Sequence, residues 1–136
     1  IEYTAFEPSE ALASGEILSL EEKFLAGEGQ NITPARFAKE GYDYDEIASQ
    51  VKRELIKTAQ ICGVEGYCRI DAFVRIWKHK VETIIIEINS LPGMTPATAI
   101  FHQAALSNMK PYQFIDSIID FGIKRQEKNT KTTQHA

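Results

Sequence analysis

The alternation of apolar and polar positions along the chain predicts a mixed α+β order of elements. Residues 45–62 read as a helix, because Ile47, Val51, Leu55, Ala59 and Cys62 recur at helical spacing and Gly63 supplies a C-terminal stop. Asp43 is placed to cap it, with Glu46 completing a capping-box pattern. From residue 66 the period changes to two. Cys68, Ile70, Ala72, Val74 and Ile76 fall on one face of a strand over 66–76, and Tyr67, Arg69, Asp71, Phe73 and Arg75 on the other. A turn over 77–80 and a second strand over 81–89 complete a hairpin in which Thr83, Ile85, Glu87 and Asn89 share a face.

The flanks carry weaker signals. Residues 1–6 read as a strand, 8–15 as a loop, and 16–29 as a short strand followed by a mobile loop, poorly ordered around Lys23 to Gly29. Residues 90–98 hold Pro92, Gly93 and Pro96 and form a structured loop. Helices are expected over 99–106 and 111–125, the second starting on Pro111 with Ile115, Ile118, Ile119 and Gly122 along one stripe. The polar segment 126–136 reads as a disordered tail, leaving 1–125 as one folded body: an antiparallel sheet with packed helices.

Composition narrows the possible functions. A chain of 136 residues with 43% hydrophobic and 25% charged residues lies in the globular range. Its net charge of -4, with Lys and Arg scattered, provides no basic stripe for a phosphate backbone, so nucleic acid is excluded as the expected partner. Apolar runs such as Ile84–Ile86 fall far short of the roughly 20 residues of a membrane span, and no basic segment precedes an apolar block at the start. A soluble, cytoplasmic protein is expected. A first residue of Ile1 rather than Met points to a piece of something longer. Cys62 and Cys68 make neither a disulfide framework nor a zinc site and read as buried, reduced thiols.

The chemistry concentrates on the less apolar face of the hairpin. Glu87 and Asn89, two apart in a strand, project together about 7 Å apart, and Asp71 on the partner strand can face them. Two carboxylates and an amide present oxygen donors only, a set suited to Mg²⁺, which is commonly held by one or two carboxylates plus substrate phosphates. Acids on a half-exposed hairpin are more often simply solvated. Against that, Glu87 sits among Ile84, Ile85, Ile86 and Ile88, where an uncompensated charge is costly. Arg69, on the same face as Asp71, can offset that charge or stabilise a developing anion. The loop that follows adds Gly93, whose backbone N–H can approach a ligand, and the hydroxyls of Thr95 and Thr98.

The run Gly66-Tyr-Cys-Arg-Ile-Asp71 followed by Glu87-Ile-Asn-Ser-Leu-Pro-Gly-Met-Thr95 resembles the C-terminal signature of the D-alanine:D-alanine ligases of the ATP-grasp superfamily. Upstream, Glu22-Lys23-Phe24 and Ile32-Thr33-Pro34-Ala35 are similar to that family's mobile-loop region and the short motif after it. The likeness covers about residues 16–125, and it implies an ATP-grasp C-terminal subdomain. It also implies roles. Asp71, Glu87 and Asn89 would hold two Mg²⁺ ions, with Mn²⁺ an admissible substitute, against the phosphates of ATP. Arg69 and the N–H of Gly93 would stabilise an oxyanion, and Lys23 would reach the transferred phosphate. Thr98 and the N–H of Ala99 would grip the carboxylate of a second D-alanine, while Phe73 and Ile86 would line the adenine.

The implied reaction phosphorylates one D-alanine carboxylate with ATP and lets the amine of a second attack the acyl phosphate, giving D-alanyl-D-alanine for peptidoglycan precursors. Two positions depart from the pattern. Phe24 stands where a tyrosine is common and cannot hydrogen-bond, which bears on whether D-alanine or D-lactate is the acceptor. Thr98 replaces the usual serine and keeps its hydroxyl. The family's N-terminal and central domains, which supply the first substrate's pocket, have no counterpart in these residues, so the isolated chain is expected to be inactive. Three alternatives stay open: another ATP-grasp carboxylate-amine ligase, a D-alanine:D-lactate ligase, and a non-catalytic module on the same scaffold. A homodimer is compatible with each.

Overall fold

The computed structural model describes residues 2–12, 31–78, 80–96 and 98–133. The strand and loop expected over 16–29, including Lys23 and Phe24, lie outside the described residues. The elements are β1 (Glu10–Ala11), β2 (Asn31–Ile32), a 3-10 helix (Phe37–Glu40), α1 (Tyr44–Ile61), β3 (Arg69–Trp77), β4 (Lys80–Asn89), α2 (Ala99–Leu106) and α3 (Pro111–Thr133). The strands form two antiparallel pairs, β1 with β2 and β3 with β4.

Helix α1 forms as its caps dictate. Asp43 Oδ1 accepts from the Glu46 amide at 2.8 Å. At the other end Gly63 adopts φ 62°, and the Val64 amide reaches back to the Ala59 carbonyl at 2.9 Å while Gly63 N–H donates to Gln60, a Schellman ending. Ile47, Ala48, Val51 and Ala59 are buried and α1 packs on β4. Because the helix stops at Ile61, Cys62 falls in the turn and is exposed, not part of the stripe; Cys68 is half-buried. The expectation of two buried thiols is corrected accordingly. Burial, and then the neighbouring Cys62, push the Cys68 thiol above its ordinary value.

Phe114 of α3 is the aromatic hub. Its ring, 5% exposed, meets Phe6 at 6.0 Å, Tyr67 at 5.9 Å and Phe101 of α2 at 6.3 Å, all edge-on. The face of α3 turned to the body is therefore Phe114, Ile118 and Phe121, whereas Ile115, Ile119 and Gly122 of the expected stripe are exposed. Apolar residues lie on both sides of this helix, so spacing alone does not choose between two neighbouring phases. Gly66 also matters here: at φ 79° it passes under Phe121, with space for a Cβ only at 3.4 Å from the ring. The helix runs on through Thr133, eight residues past the expected end at Arg125. Nothing after Gly122 breaks it, Gln126, Glu127 and Lys128 are good helix formers, and Glu127 precedes Lys131 by one helical repeat.

Among the described residues 2–6 the expected strand over 1–6 does not form, and β1 lies instead within the expected loop. Side chains as well as the short β1–β2 ladder hold the segment. Tyr3 Oη donates to the Val64 carbonyl at 2.8 Å, and Arg36 pairs bidentately with Glu10 through Nε at 2.9 Å and Nη2 at 2.8 Å. Glu7 accepts from Tyr44 Oη at 2.6 Å and from Lys52 Nζ, tying the segment to α1. Partial burial raises the Glu7 carboxyl, but the Lys52 and Tyr44 hydrogen bonds and the Lys52 charge together outweigh it and leave it below the ordinary 4.5. Burial, and then Glu7, hold the Tyr44 phenol well above its usual range.

A glutamate depressed on folding contributes stability above its unfolded value and loses it as pH falls. The chain is therefore expected to lose up to about 1 kcal/mol through this group below pH 4.5. Glu7→Gln should be less stable at pH 7 by a similar amount and should flatten that part of the acid limb in urea titrations at several pH values.

Candidate functional site

The hairpin contains an irregularity that decides its chemistry. Asp71 pairs with Glu87, but the next β3 residue, Ala72, pairs with Ile85, so Ile86 is passed over as a β-bulge. Cross-strand partners share a face, hence Thr83 and Ile85 lie with Val74 and Ala72, whereas Glu87 and Asn89 lie with Asp71 and Arg69. The expectation that Thr83, Ile85, Glu87 and Asn89 share one face is corrected, because an extra residue inverts the alternation. Ile86 and Glu87 are consecutive yet both exposed, as a bulge allows.

The open face thus gathers Arg69, Asp71, Phe73 and Arg75 from β3 with Asn89, Glu87, Ile84 and Glu82 from β4. Its charged end is tightly knit. Arg69 donates to Asp71 through Nε at 2.8 Å to Oδ1 and Nη2 at 3.0 Å to Oδ2, and the same Nη2 stands 3.7 Å from Glu87 Oε1. Asn89 Nδ2 donates to Glu87 Oε1 at 3.1 Å. Two carboxylates directly opposite on a ladder repel, and the guanidinium between them offsets this. Phe73, 67% exposed, and Ile86, 54% exposed, leave a bare apolar patch beside the charges. At the far end Lys80 Nζ sits 5.1 Å above the Trp77 ring, closing the exposed turn.

Past Asn89 the chain enters the loop, where Pro92 is buried and Gly93 exposed. A Cβ on Gly93 would lie 3.9 Å from Thr98 Cγ2, so the two positions are neighbours. The Thr98 hydroxyl donates to the Thr95 carbonyl at 2.7 Å and keeps its lone pairs free of the helix, since it makes no cap bond. Ala99 opens α2, where the first amides have no acceptor within the helix. Of the expected residues, Asp71, Glu87, Asn89, Arg69, Phe73 and Ile86 come together on or beside one face, and Gly93, Thr98 and Ala99 on the loop that continues β4. The sequence reading missed Ile84, which stands opposite Phe73; the apolar run 84–86 was visible, but not the bulge that turns Ile84 outward.

As a donor set, two opposed carboxylates and an adjacent amide, all on an open face, fit a divalent cation shared with a ligand. Among the described residues no group of three His, Cys, Asp or Glu side chains is placed to hold a metal ion, so a closed protein cage is not formed there. No described helix is long and apolar enough to cross a membrane.

The family model of the D-ala D-ala ligase C-terminus matches residues 2–120. The chain belongs to that family. It is 31% identical over 121 residues to a D-alanine–D-alanine ligase of Leptospira interrogans, covering 89% of this chain and 32% of the relative. It is 30% identical to a D-alanine–D-alanine ligase B of Clostridium perfringens, over 88% of this chain and 36% of the relative. A Caldicellulosiruptor bescii D-alanine–D-alanine ligase is 31% identical over 92% of this chain and 33% of its own length. The chain spans about a third of these relatives. The mixed α+β architecture, with its antiparallel pairs and helices, is that of an ATP-grasp C-terminal subdomain, as this D-ala D-ala ligase C-terminal match implies.

Proposed function

We propose that this chain is the part of a D-alanine:D-alanine ligase that holds magnesium and the phosphates of ATP and stabilises the acyl-transfer step. The observation that carries the reading is the ladder pairing of Asp71 with Glu87, with Asn89 and Arg69 beside them on one exposed face. Asp71, Glu87 and Asn89 would hold the metal, which supplies charge neutralisation across the phosphates during transfer to a D-alanine carboxylate. Phe73, Ile84 and Ile86 offer an apolar surface to the adenine ring. Lys23 supplies a cation for the transferred phosphate.

Arg69 and the Gly93 N–H serve as donors to the oxyanion that forms when the second amine attacks. Thr98 and the Ala99 amide orient that substrate through its carboxylate. The product, D-alanyl-D-alanine, serves peptidoglycan synthesis in the cytoplasm. The remaining domains of the ligase would supply the first substrate's pocket.

The test is ADP release by the full-length ligase that contains this segment, with D-alanine, D-lactate or no acceptor. The reading expects Mg²⁺-dependent ADP release stimulated by D-alanine, with D-alanyl-D-alanine as product. Stimulation by D-lactate alone, which the Phe24 departure makes worth measuring, would reassign the acceptor. Release driven only by an unrelated acid, or no release at all, would overturn the ligase reading.

A further inference from the structure

The carboxylates of the open face already have a cation, and it belongs to the protein. Both oxygens of Asp71 accept from the Arg69 fork, and Glu87 Oε1 is shared between Asn89 Nδ2 at 3.1 Å and the approach of Arg69 Nη2 at 3.7 Å. A divalent ion placed between Asp71 and Glu87 would sit on carboxylates that the guanidinium already holds. A guanidinium cannot lose its proton to make room, and a dication on the same pair of carboxylates repels it.

We propose that Arg69 is an internal counter-ion that the metal displaces, so that loading the cation site and freeing the oxyanion-stabilising arginine are one coupled event. The inference rests on the metal reading above and adds to it an order of assembly. Before the ion arrives, Arg69 is tied along its own strand to Asp71 and is not available to a reacting anion. Once the ion takes both carboxylates, the fork is released. Half-exposed, with 52% of its side-chain surface accessible, Arg69 has room to turn. By linkage, whatever holds Arg69 away from Asp71, including an anion bound in front of the hairpin, must tighten the metal by the same factor.

The full 136-residue chain, with Mn²⁺ as the probe, tests this. Free Mn²⁺ is followed by electron paramagnetic resonance for the unaltered chain, Arg69→Met, Arg69→Lys and Glu87→Gln, with thermal melts to show that each is folded. The proposal expects Arg69→Met to bind Mn²⁺ about five- to tenfold more tightly than the unaltered chain, the scale of one competing exposed ion pair plus a removed like charge. Arg69→Lys, which keeps the charge without the fork, should fall between. In ¹⁵N spectra the Arg69 Nε–H signal of the unaltered chain should move and exchange faster with solvent as Mg²⁺ is added.

If Glu87→Gln weakens Mn²⁺ binding while Arg69→Met leaves it unchanged or weakens it, the metal site stands and the displacement is wrong. Should neither the unaltered chain nor Arg69→Met bind Mn²⁺, the metal reading and the displacement fall together.

Discussion

If the proposed function holds, Glu87→Gln is expected to lower ADP release by the full-length protein that contains this segment about 10³-fold, the effect of several kcal/mol of lost charge stabilisation around a transferred phosphoryl group. Gln is nearly isosteric with Glu, and its side-chain oxygen can still accept from Asn89 Nδ2, so the local hydrogen bond survives. What disappears is one of two opposed negative charges; Glu82, the other acid on this face, is paired with Arg75 farther along the hairpin. The melting temperature should therefore hold or, with the Asp71–Glu87 repulsion relieved, rise slightly. Kinetic assays of ADP release beside thermal melts separate the two effects. Activity within tenfold of the unaltered enzyme, with the fold intact, would remove Glu87 from the metal site.

Phe114→Ala carries the other large expectation, a loss of about 3–5 kcal/mol in folding stability. The ring joins four parts of the chain that have no ladder in common: the N-terminal segment through Phe6, the approach to β3 through Tyr67, α2 through Phe101, and α3 itself. Truncation leaves a cavity bounded by three aromatic rings, which are stiff and collapse poorly into the space. For a domain of this size the melting temperature should fall by about 10 °C or more. Phe114→Leu, which keeps much of the volume, should cost less than half as much. Urea denaturation of the two variants checks the ranking.

How much of this was legible in the sequence depends on what fixes each element. Helix α1 is specified locally, by a cap at Asp43, a stop at Gly63 and an apolar repeat between them, and its structure follows that specification to within a residue or two. The hairpin strands are equally legible, because β3 alternates cleanly from Ile70 to Ile76. The bulge is not. Ile84, Ile85, Ile86 and Ile88 are the same residue type, so the sequence carries no phase there, and only the pairing of Ala72 with Ile85 shows which isoleucines turn outward. Asp71, Glu87 and Asn89 nonetheless meet by ladder register once the bulge is in place.

Contacts between distant residues account for the remaining differences. The N-terminal segment is positioned by Tyr3 on Val64 and by Glu7 on Tyr44 and Lys52, partners far along the chain that no local pattern announces. In α3 the choice of Phe114 over Ile115 as the inward residue is made by the aromatic rings of three other segments. Its extension to Thr133 needed only good helix formers and no breaker, a weak signal beside the high polarity of the same residues.

If the Asp71, Glu87 and Asn89 side chains together form a divalent-cation site, substoichiometric Mn²⁺ will broaden backbone amides of the ¹⁵N-labelled chain around it. Losses are expected to centre on residues 69–72 and 86–90 and to be erased by Glu87→Gln. Broadening centred instead on the acidic start of α1 at Asp43, Asp45 and Glu46, or spread evenly over the surface acids, would contradict it.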